Sequence, residues 1–526
     1  MFRSLALPLR LFRIARILAK YDALAVFEEA RLFPALLKTA RFFARPLQAR
    51  GLAGQRPGQK LARALTELGP SFIKLGQFAA TRADLVGEQV AADLAELQDR
   101  LAPFPGEEAR QIIEEELGAS VETLFENFSA EPVSAASIAQ VHYAITQPEP
   151  DGVEEAPREV AVKVLRPGIE AAFERDLELF RWIAALAESS APKARRLKPR
   201  AVVEVFAETV HIEMDLRMEA AAAAELAQNF AGDDSYRVPQ VDWSRTSRRV
   251  LTTSRLTGIR LDDREALLDA GHDLTDVLTK AAAIFFNQVF RDGYFHGDQH
   301  PGNMFVTEDG AIGAVDFGIM GRLDHGTRTY LADMLLATLA QDYRRLAQVH
   351  VDAGWLPPGK HVETFAQALR AVCEPIFGQP LERISFARLL GQLLALTEDF
   401  EMPVQPQLVL MQKNMLMAEG VSRKLDPSLN IWILAEPLIV DWMRENRGLQ
   451  AQARDAMESL REIAARLPQA LRALEDLSGA VDAEGIRLHP ETVRAIVAKR
   501  RRTAFLPWLA AGLSVVALIL AVIALG

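Results

Sequence analysis

The chain carries a single cysteine, Cys373, among 526 residues. An intramolecular disulfide framework is impossible, a cysteine-rich zinc site is excluded, and such usage fits a reducing compartment. Net positive charge is also missing. Sixty basic residues against 70 acidic ones leave −10, whereas a general nucleic-acid binder is usually basic, so no nucleic-acid partner is expected. No segment repeats at a fixed period and none is strongly low in complexity. The N-terminus lacks the apolar run and small-residue cleavage site of a secretory signal. Neither a flavin fingerprint nor an iron triad is visible, which argues against a direct hydroxylase. Apolar residues, by contrast, make up 49% of the chain. That is enough for a sizeable core in one large domain or several ordinary ones.

The charge is unevenly spread. Residues 1–50 hold ten Lys/Arg against three acids, and Arg10, Arg13, Arg16 and Lys20 roughly follow one helical face. A helix lying on an anionic membrane surface is the expected use; packing on the protein's own body is the alternative. At the other end, "AFLPWLAAGLSVVALILAVIALG" (504–526) has no charge and suffices to cross a hydrocarbon core of about 30 Å. Lys499 to Arg502 precede it and should stay cytoplasmic, placing the body in the cytoplasm. One transmembrane helix is expected, with two tightly packed half-length segments as the alternative.

Between these ends the pattern alternates. "IAQVHYAIT" and "EVAVKVL" read as β-strands flanking an acidic, Pro-rich hairpin loop at 148–157. Residues 170–230 read as helical, with a flexible connection at 189–199. The stretch 249–261 is extended, helix returns from about 265 to 292, "NMFVTEDGAIGAVDFG" reads as a hairpin, and helices continue to about 500. The plan is α+β: a helical preamble, a small β-rich lobe, a large α-rich lobe and a membrane tail, with a cleft between the lobes. Boundaries are set at 1–58, 59–130, 131–258, 259–440, 441–502 and 503–526.

Chemistry concentrates in "HGDQHPGN", 296–303, which has the spacing H-x-D-x-x-x-x-N; "VDFG" follows with Asp316. Upstream, Lys163 interrupts the apolar strand "VAVKVL", where an ammonium must be paired or at a surface. Phosphoryl transfer needs a carboxylate to orient and deprotonate a hydroxyl, oxygen ligands for magnesium and a lysine on the nucleotide phosphates. Asp298 can be the first, Asn303 and Asp316 the second, and Lys163 the third. The order Lys, Asp, Asn, Asp-Phe-Gly is that of the protein-kinase signature. A His296/His300 metal site is the rival for this loop, but Gly297, Pro301 and Gly302 oppose the helix that would align two histidines four apart. Lys163 also needs an acidic partner, for which "ETVHIEMDLRMEAAAAAEL" (208–226) offers Glu213, Asp215 and Glu219. Glu213 and Glu219 are six apart and could serve different lysines. Two departures stand out. Gly297 occupies the place of the arginine with which protein kinases read activation-loop phosphorylation. "VSAASIAQV" (Val133, Ser134, Ala135, Ala136, Ser137, Ile138, Ala139, Gln140, Val141) stands where a Gly-rich loop would be.

Taken with "SFIKLGQFAATRADLV", "VAVKVLRPGI", "EMDLRMEA", "FHGDQHPGNMFV", "AVDFGIMGRL" and "MAEGVSRKLDPSLNI", this pattern resembles the UbiB/ADCK family of atypical kinases over roughly residues 60–430. The resemblance implies a bilobal protein-kinase-like fold with a helical N-terminal extension and, as in bacterial members, a C-terminal transmembrane helix in the inner membrane. It implies ATP and Mg2+ as cofactors. Asp298 becomes the proton acceptor, Asn303 and Asp316 the magnesium ligands, Lys163 the nucleotide lysine, Glu219 its partner and Val133 to Val141 the Ala-rich nucleotide loop. Lys74, Gly76 and Gln77 match the family's K-x-G-Q motif, and Glu213 and Asp215 its E-x-D. In the family the K-x-G-Q helix covers the cleft where a protein kinase admits a peptide, and the E-x-D acids help hold it. Read alone, "SFIKLGQF" is simply an amphipathic helix. The strand joining the lobes often carries a glutamate in the family; here Ser254 departs from that.

The implied function is an ATP-dependent kinase or ATPase supporting ubiquinone biosynthesis. The expected partners are membrane lipids, polyprenyl-phenol precursors and other enzymes of that pathway. A nucleotide-gated lipid-binding scaffold without required turnover, and a small-molecule kinase acting on a quinone precursor, are the alternatives.

Overall fold

A computed structural model describes residues 3–23, 101–148, 156–190, 198–377, 385–402 and 405–427, most of 52–97, a few isolated positions and a short ladder near 481–486. The chain divides into two compact units, Met1–Trp442 and Met443–Gly526. In the second, Val481–Asp482 pairs antiparallel with Gly485–Ile486, which corrects the expectation that only helices continue to about 500. Gly479 and Gly485 disfavour helix there, and Val481 and Ile486 suit a strand pair. Residues 504–526, expected to form the transmembrane helix, lie outside the described residues. Among the described residues no helix is long and apolar enough to cross a membrane.

In the first unit, α1 (Arg3–Lys20), α2 (Pro57–Leu68), α3 (Pro70–Ala80) and α4 (Glu88–Ala95) precede the small lobe. One side of α1 packs on the body. Ile17 is buried, the Arg10 guanidinium pairs with buried Asp176, and Lys20 lies 2.6 Å from Glu67. Arg13 and Arg16 stay exposed, beside Phe12. The helix thus uses half of its basic stripe internally and presents the other half outward.

The small lobe is one antiparallel sheet. Helix α5 (Gly106–Leu117) leads into β1 (Phe125–Phe128), β2 (Ser134–Ala135), β3 (Ala139–Thr146) and β4 (Glu159–Leu165). Then come α6 (Ile169–Ser190), α7 (Pro199–Glu213) and α8 (Leu216–Asn229), followed by β5 (Tyr236–Arg237) and β6 (Val250–Ser254). The sheet order is β1-β3-β4-β6, with β2 on β3. Strand alternation divides the two faces. Val162, Val164 and Val250 pack on Ile112 and Ile113 of α5. Ala139, Leu165 and Leu251 pack on Ile73 of α3, Phe173 of α6, Phe206 of α7, and Leu216 and Ala220 of α8. Lys163 sits opposite Val141 and Leu251, so it lies on this second face. The acidic stretch 208–226, expected as one helix, is two. Asp215 accepts from the Arg217 N–H and starts α8 anew, as an N-cap carboxylate does.

The large lobe begins with β7 (Ile259–Arg260), α9 (Arg264–Asp269) and α10 (Leu274–Phe286). The helix expected over 265–292 is interrupted between α9 and α10, where Gly271 takes φ +83° and Asp273 caps the restart. A π-helical turn, Asn287–Asp292, ends at left-handed Gly293. Strands β8 (Tyr294–His296), β9 (Met304–Val306), β10 (Ile312–Ala314) and β11 (Met320–Arg322) follow. β9 and β10 form the expected hairpin, and β8 pairs with β11. Helices α11 (His325–Leu339), α12 (Tyr343–Asp352), α13 (Val362–Phe377), α14 (Phe386–Asp399) and α15 (Pro406–Leu425) complete the described lobe. The α+β plan with a small sheet-bearing lobe and a large helical one is therefore present.

The β8–β11 pair ties the strand before "HGDQHPGN" to the strand after "VDFG", and its packing is tight. A Cβ on Gly321 would fall 2.1 Å from the ring of fully buried Phe295. Gly321→Ala is expected to destabilise the protein by about 3 kcal/mol, the upper range for overpacking a closed site. Chemical denaturation checks this, and an unchanged midpoint would refute it.

Candidate active site

Four segments distant in sequence converge at the join of the lobes. Lys163 on β4 points at α8, where its Nζ lies 2.8 Å from both Glu219 carboxylate oxygens and 3.1 Å from Asp316 Oδ1. Lys163 and Glu219 are shielded, at 16% and 9% side-chain exposure, while Asp316 is half open at 50%. The Lys163 ammonium beside Asp316 holds its carboxyl well below the usual carboxylate range, and Lys74 adds to the effect. The Lys163 ammonium is itself held charged by Asp316 and Glu219 against the cost of burial. Burial pushes the Glu219 carboxyl up, countered by Lys163. Asp316 takes φ +65°, a left-handed conformation uncommon outside glycine but tolerated by Asp and Asn. That turn carries the chain sharply away after β10 and leaves the carboxylate beside Lys163.

The loop 296–303 is built on its own hydrogen bonds. Asp298 N–H donates to His296 Nδ1 at 3.0 Å, so the proton of this ring belongs on Nε2, which faces the Val315 carbonyl at 3.4 Å. Burial pulls the His296 pKa down, which keeps the ring neutral. His300 Nδ1 accepts from the Gly302 N–H at 3.0 Å. Both histidines of the His296/His300 pair thus turn Nδ1 to the loop's own backbone. No group of three or more His, Cys, Asp or Glu among the described residues could hold an ion alone. Asn303 Nδ2 donates to the Asp298 carbonyl at 3.4 Å, which fixes the amide with its oxygen directed away from that carbonyl. Gly297 donates to the Ile319 carbonyl at 2.8 Å, and a Cβ there would meet Ile319 Cγ2 at 2.8 Å. The position of the kinase arginine is therefore a close crossing of two backbones.

Of the K-x-G-Q residues, Lys74 reaches Glu213 at 2.9 Å, with both side chains largely buried. A Cβ on Gly76 would fall 2.7 Å from a terminal methyl of Leu65 and 2.8 Å from one of Leu97, so a larger residue on this helix face would make both leucines move. Gln77 is half-buried one position on. Asp215 differs from the expectation that it helps hold α3. Its carboxylate is committed to Arg217, at 2.9 and 2.6 Å, and to the cap of α8, which lowers its pKa. Glu213 and Glu219 thus serve Lys74 and Lys163 respectively.

The stretch Val133 to Val141 forms a tight hairpin. Ser134 pairs with Val141, Ala135 with Gln140, and Ala136 N–H bonds the Ala139 carbonyl at 2.8 Å. The Arg166 guanidinium donates twice to the Ala136 carbonyl. Val133 and Ser134 are exposed, Ala135 and Ala136 partly so, and Ser137, Ile138 and Ala139 are buried. Gln140 departs from its assignment as a nucleotide contact. By strand alternation its side chain lies on the face away from Lys163, where it bonds the backbone N–H and carbonyl of Phe104 and the ring Nε2 of His142. Val141 lies on the Lys163 face. Ser254 Oγ accepts from the Gln240 N–H at 2.9 Å, so this departure from the family pattern braces the crossing between lobes.

Three residues of the site escaped the sequence reading. Lys413 on α15 lies 2.8 Å from Asp298 Oδ1. Asn414, fully buried beside it, donates to the His296 carbonyl at 2.5 Å and accepts from the Gln299 N–H at 3.2 Å. Buried Gln288, in the π-turn, accepts from the His296 N–H at 3.0 Å. The signal for Asn414 was there: "LVLMQKNMLMAEG" places three polar residues within an apolar helix, and a buried amide demands partners.

The sequence has counterparts among known proteins. An ABC1 atypical kinase-like domain model matches residues 96–350, and a UbiB helical domain model matches residues 369–430. A "Probable protein kinase UbiB" from Marinobacter nauticus is 44% identical over 443 residues, covering 84% of this chain and 79% of that one. The chain belongs to the UbiB family of atypical kinases. A counterpart of the same description from Xanthomonas oryzae pv. oryzae is 42% identical over 468 residues, covering 88% of this chain and 83% of its own. Among solved structures, the Rv3197–erythromycin complex of Mycobacterium tuberculosis matches at 25% identity and TM-score 0.46, covering 71% of this chain and 95% of that one. In UbiB terms, Lys163, Glu219, Asp298, Asn303 and Asp316 fall in the kinase-like domain, while Lys413 and Asn414 fall in the helical domain.

Proposed function

We propose that this chain is an ATP-dependent kinase or ATPase of the bacterial inner membrane that supports ubiquinone biosynthesis by coupling nucleotide turnover to the handling of polyprenyl-phenol precursors or to the organisation of the pathway enzymes. The observation that carries the reading is Lys163 held between Glu219 and Asp316, with Asp298 on the neighbouring loop. It is the arrangement that phosphoryl transfer requires on the nucleotide side.

The residues fit magnesium. Asp316 is a half-open carboxylate kept ionised by Lys163, and Asn303 is an amide oriented by its own nitrogen. Two hard oxygen donors suffice when phosphates and waters complete the shell. Magnesium bound there would neutralise charge on the nucleotide phosphates. Lys163 would hold the phosphates, Asn303 would keep the loop in register, and Asp298 would orient the attacking hydroxyl or water and accept its proton. Lys74 and Glu213 pin α3 close enough for its charge to act on Asp316. This supports a cleft closed to peptides and favours ATP hydrolysis or a small lipid-like acceptor.

The test is quinone-intermediate profiling in a deletion strain rescued with Asp298→Asn, alongside magnesium-dependent ATPase assays with anionic vesicles. Asp298→Asn is expected to leave quinone synthesis unrescued, and vesicles to raise wild-type turnover. Full rescue would replace this reading with a nucleotide-gated scaffold. A phosphorylated intermediate would make the acceptor a quinone precursor.

A further inference from the structure

We propose that Lys413 is a catalytic lysine of the phosphoryl-transfer step, delivered into the cleft by the helical domain. The proposal rests on the ATP-turnover reading above. Its Nζ lies 2.8 Å from Asp298 Oδ1. A general base works at about 2.6–3.2 Å from the oxygen it deprotonates. Where Asp298 Oδ1 takes the proton, the ammonium lies within about 6 Å of the atom that attacks phosphorus.

Three further observations separate this lysine from a surface ion pair. It is held in place by its neighbour. Asn414, next on α15, clamps the His296 carbonyl and the Gln299 N–H, so the helix register that satisfies a fully buried amide also sets the ammonium against the loop. The pair is only partly covered, with Lys413 and Asp298 at 29% and 31% side-chain exposure, which leaves room for a phosphate to approach it. And the other lysines of the site are already committed, since Lys163 is bound by both Glu219 and Asp316 and Lys74 by Glu213. The transferred phosphoryl group spreads charge over its equatorial oxygens, and Lys413 is a cation paired to the carboxylate on the attacking side.

An ammonium has three donors. Asp298 takes one, leaving others for a γ-phosphate oxygen. In the step itself the water or hydroxyl proton passes to Asp298 while its oxygen bonds the γ-phosphorus. The bond from that phosphorus to the β,γ-bridging oxygen breaks, and ADP leaves with the electron pair. Lys413 stays protonated throughout and stabilises the charge on the moving group. The helical domain thereby adds a cation to the loop that carries Asp298.

The experiment compares full-length wild type, Lys413→Met, Lys413→Gln and Lys413→Arg in magnesium-ATP hydrolysis, with thermal melts in the presence and absence of ADP and magnesium. Lys413→Met and Lys413→Gln are expected to lose kcat on the order of 100-fold, with KM for ATP changed less than about threefold. Lys413→Arg should recover at least about tenfold of that loss. Melting temperatures and the stabilisation by ADP should stay at wild-type values. Turnover by Lys413→Gln within about threefold of wild type would overturn the role. So would equal losses in all three variants accompanied by lowered melting temperatures, which would make the lysine structural. Absence of turnover in the wild type would instead remove the ATP-turnover reading, and this role with it.

Discussion

Asp316→Asn is expected to lower magnesium-dependent ATP turnover on the order of 1000-fold while leaving the fold intact, since a single charged group acting on the transferred phosphoryl is worth that much or more. The substitution isolates charge from shape. Asn has the same size, adopts the left-handed conformation that Asp316 holds at φ +65°, and can still accept from Lys163 in place of Oδ1. What it loses is the anion that Lys163 keeps ionised and that the half-open position presents to the cleft. Stability should change little, because Glu219 retains its bidentate hold on Lys163. Nucleotide binding measured with and without magnesium provides the second readout. The variant should lose affinity where magnesium is present and keep it where magnesium is absent. Hydrolysis at the wild-type rate would remove Asp316 from its role as metal ligand.

Much of this site was legible because each element carries a local physical demand. A lysine inside "VAVKVL" must find an anion, and short alternating strands on either side of an acidic loop must pair. Strand alternation then decides which side chains can share the cleft. The same rule that puts Val141 beside Lys163 puts Gln140 on the far face, a distinction a motif read as a block does not make. The break between α7 and α8 was missed because its apolar periodicity runs through; only Asp215, as a cap, marks it. Lys413 and Asn414 were missed for a different reason. They lie more than a hundred positions from the loop they touch, on a helix whose lysine alone looks solvated. Long-range placement of that kind is set by packing of the helical domain, which local pattern does not encode.

Lys163→Met is expected to destabilise the protein by about 3 kcal/mol at neutral pH, as removal of one partner from a buried ion pair does, and to abolish turnover. Glu219 would then be left at 9% side-chain exposure without its cation. Burial already pushes its carboxyl up, so without Lys163 the folded state favours the protonated form. A carboxyl whose folded pKa lies above its unfolded value favours folding below the unfolded value and loses that contribution as pH rises through the folded one. The deficit of Lys163→Met should therefore shrink on acidification towards pH 4.5. Glu219→Leu should cost less, about 1–2 kcal/mol, because Asp316 at 3.1 Å still answers the ammonium. Lys163→Met/Glu219→Leu should recover most of the loss, since an apolar pair of similar volume commonly replaces a buried ion pair without cost, yet remain inactive. Denaturant unfolding of the four proteins in a double-mutant cycle measures the coupling. A double variant no more stable than Lys163→Met would mean that the pair is needed to build the lobe. A stable but inactive one would mean that the fold tolerates the pair's loss and that its place at the cleft is explained by chemistry alone.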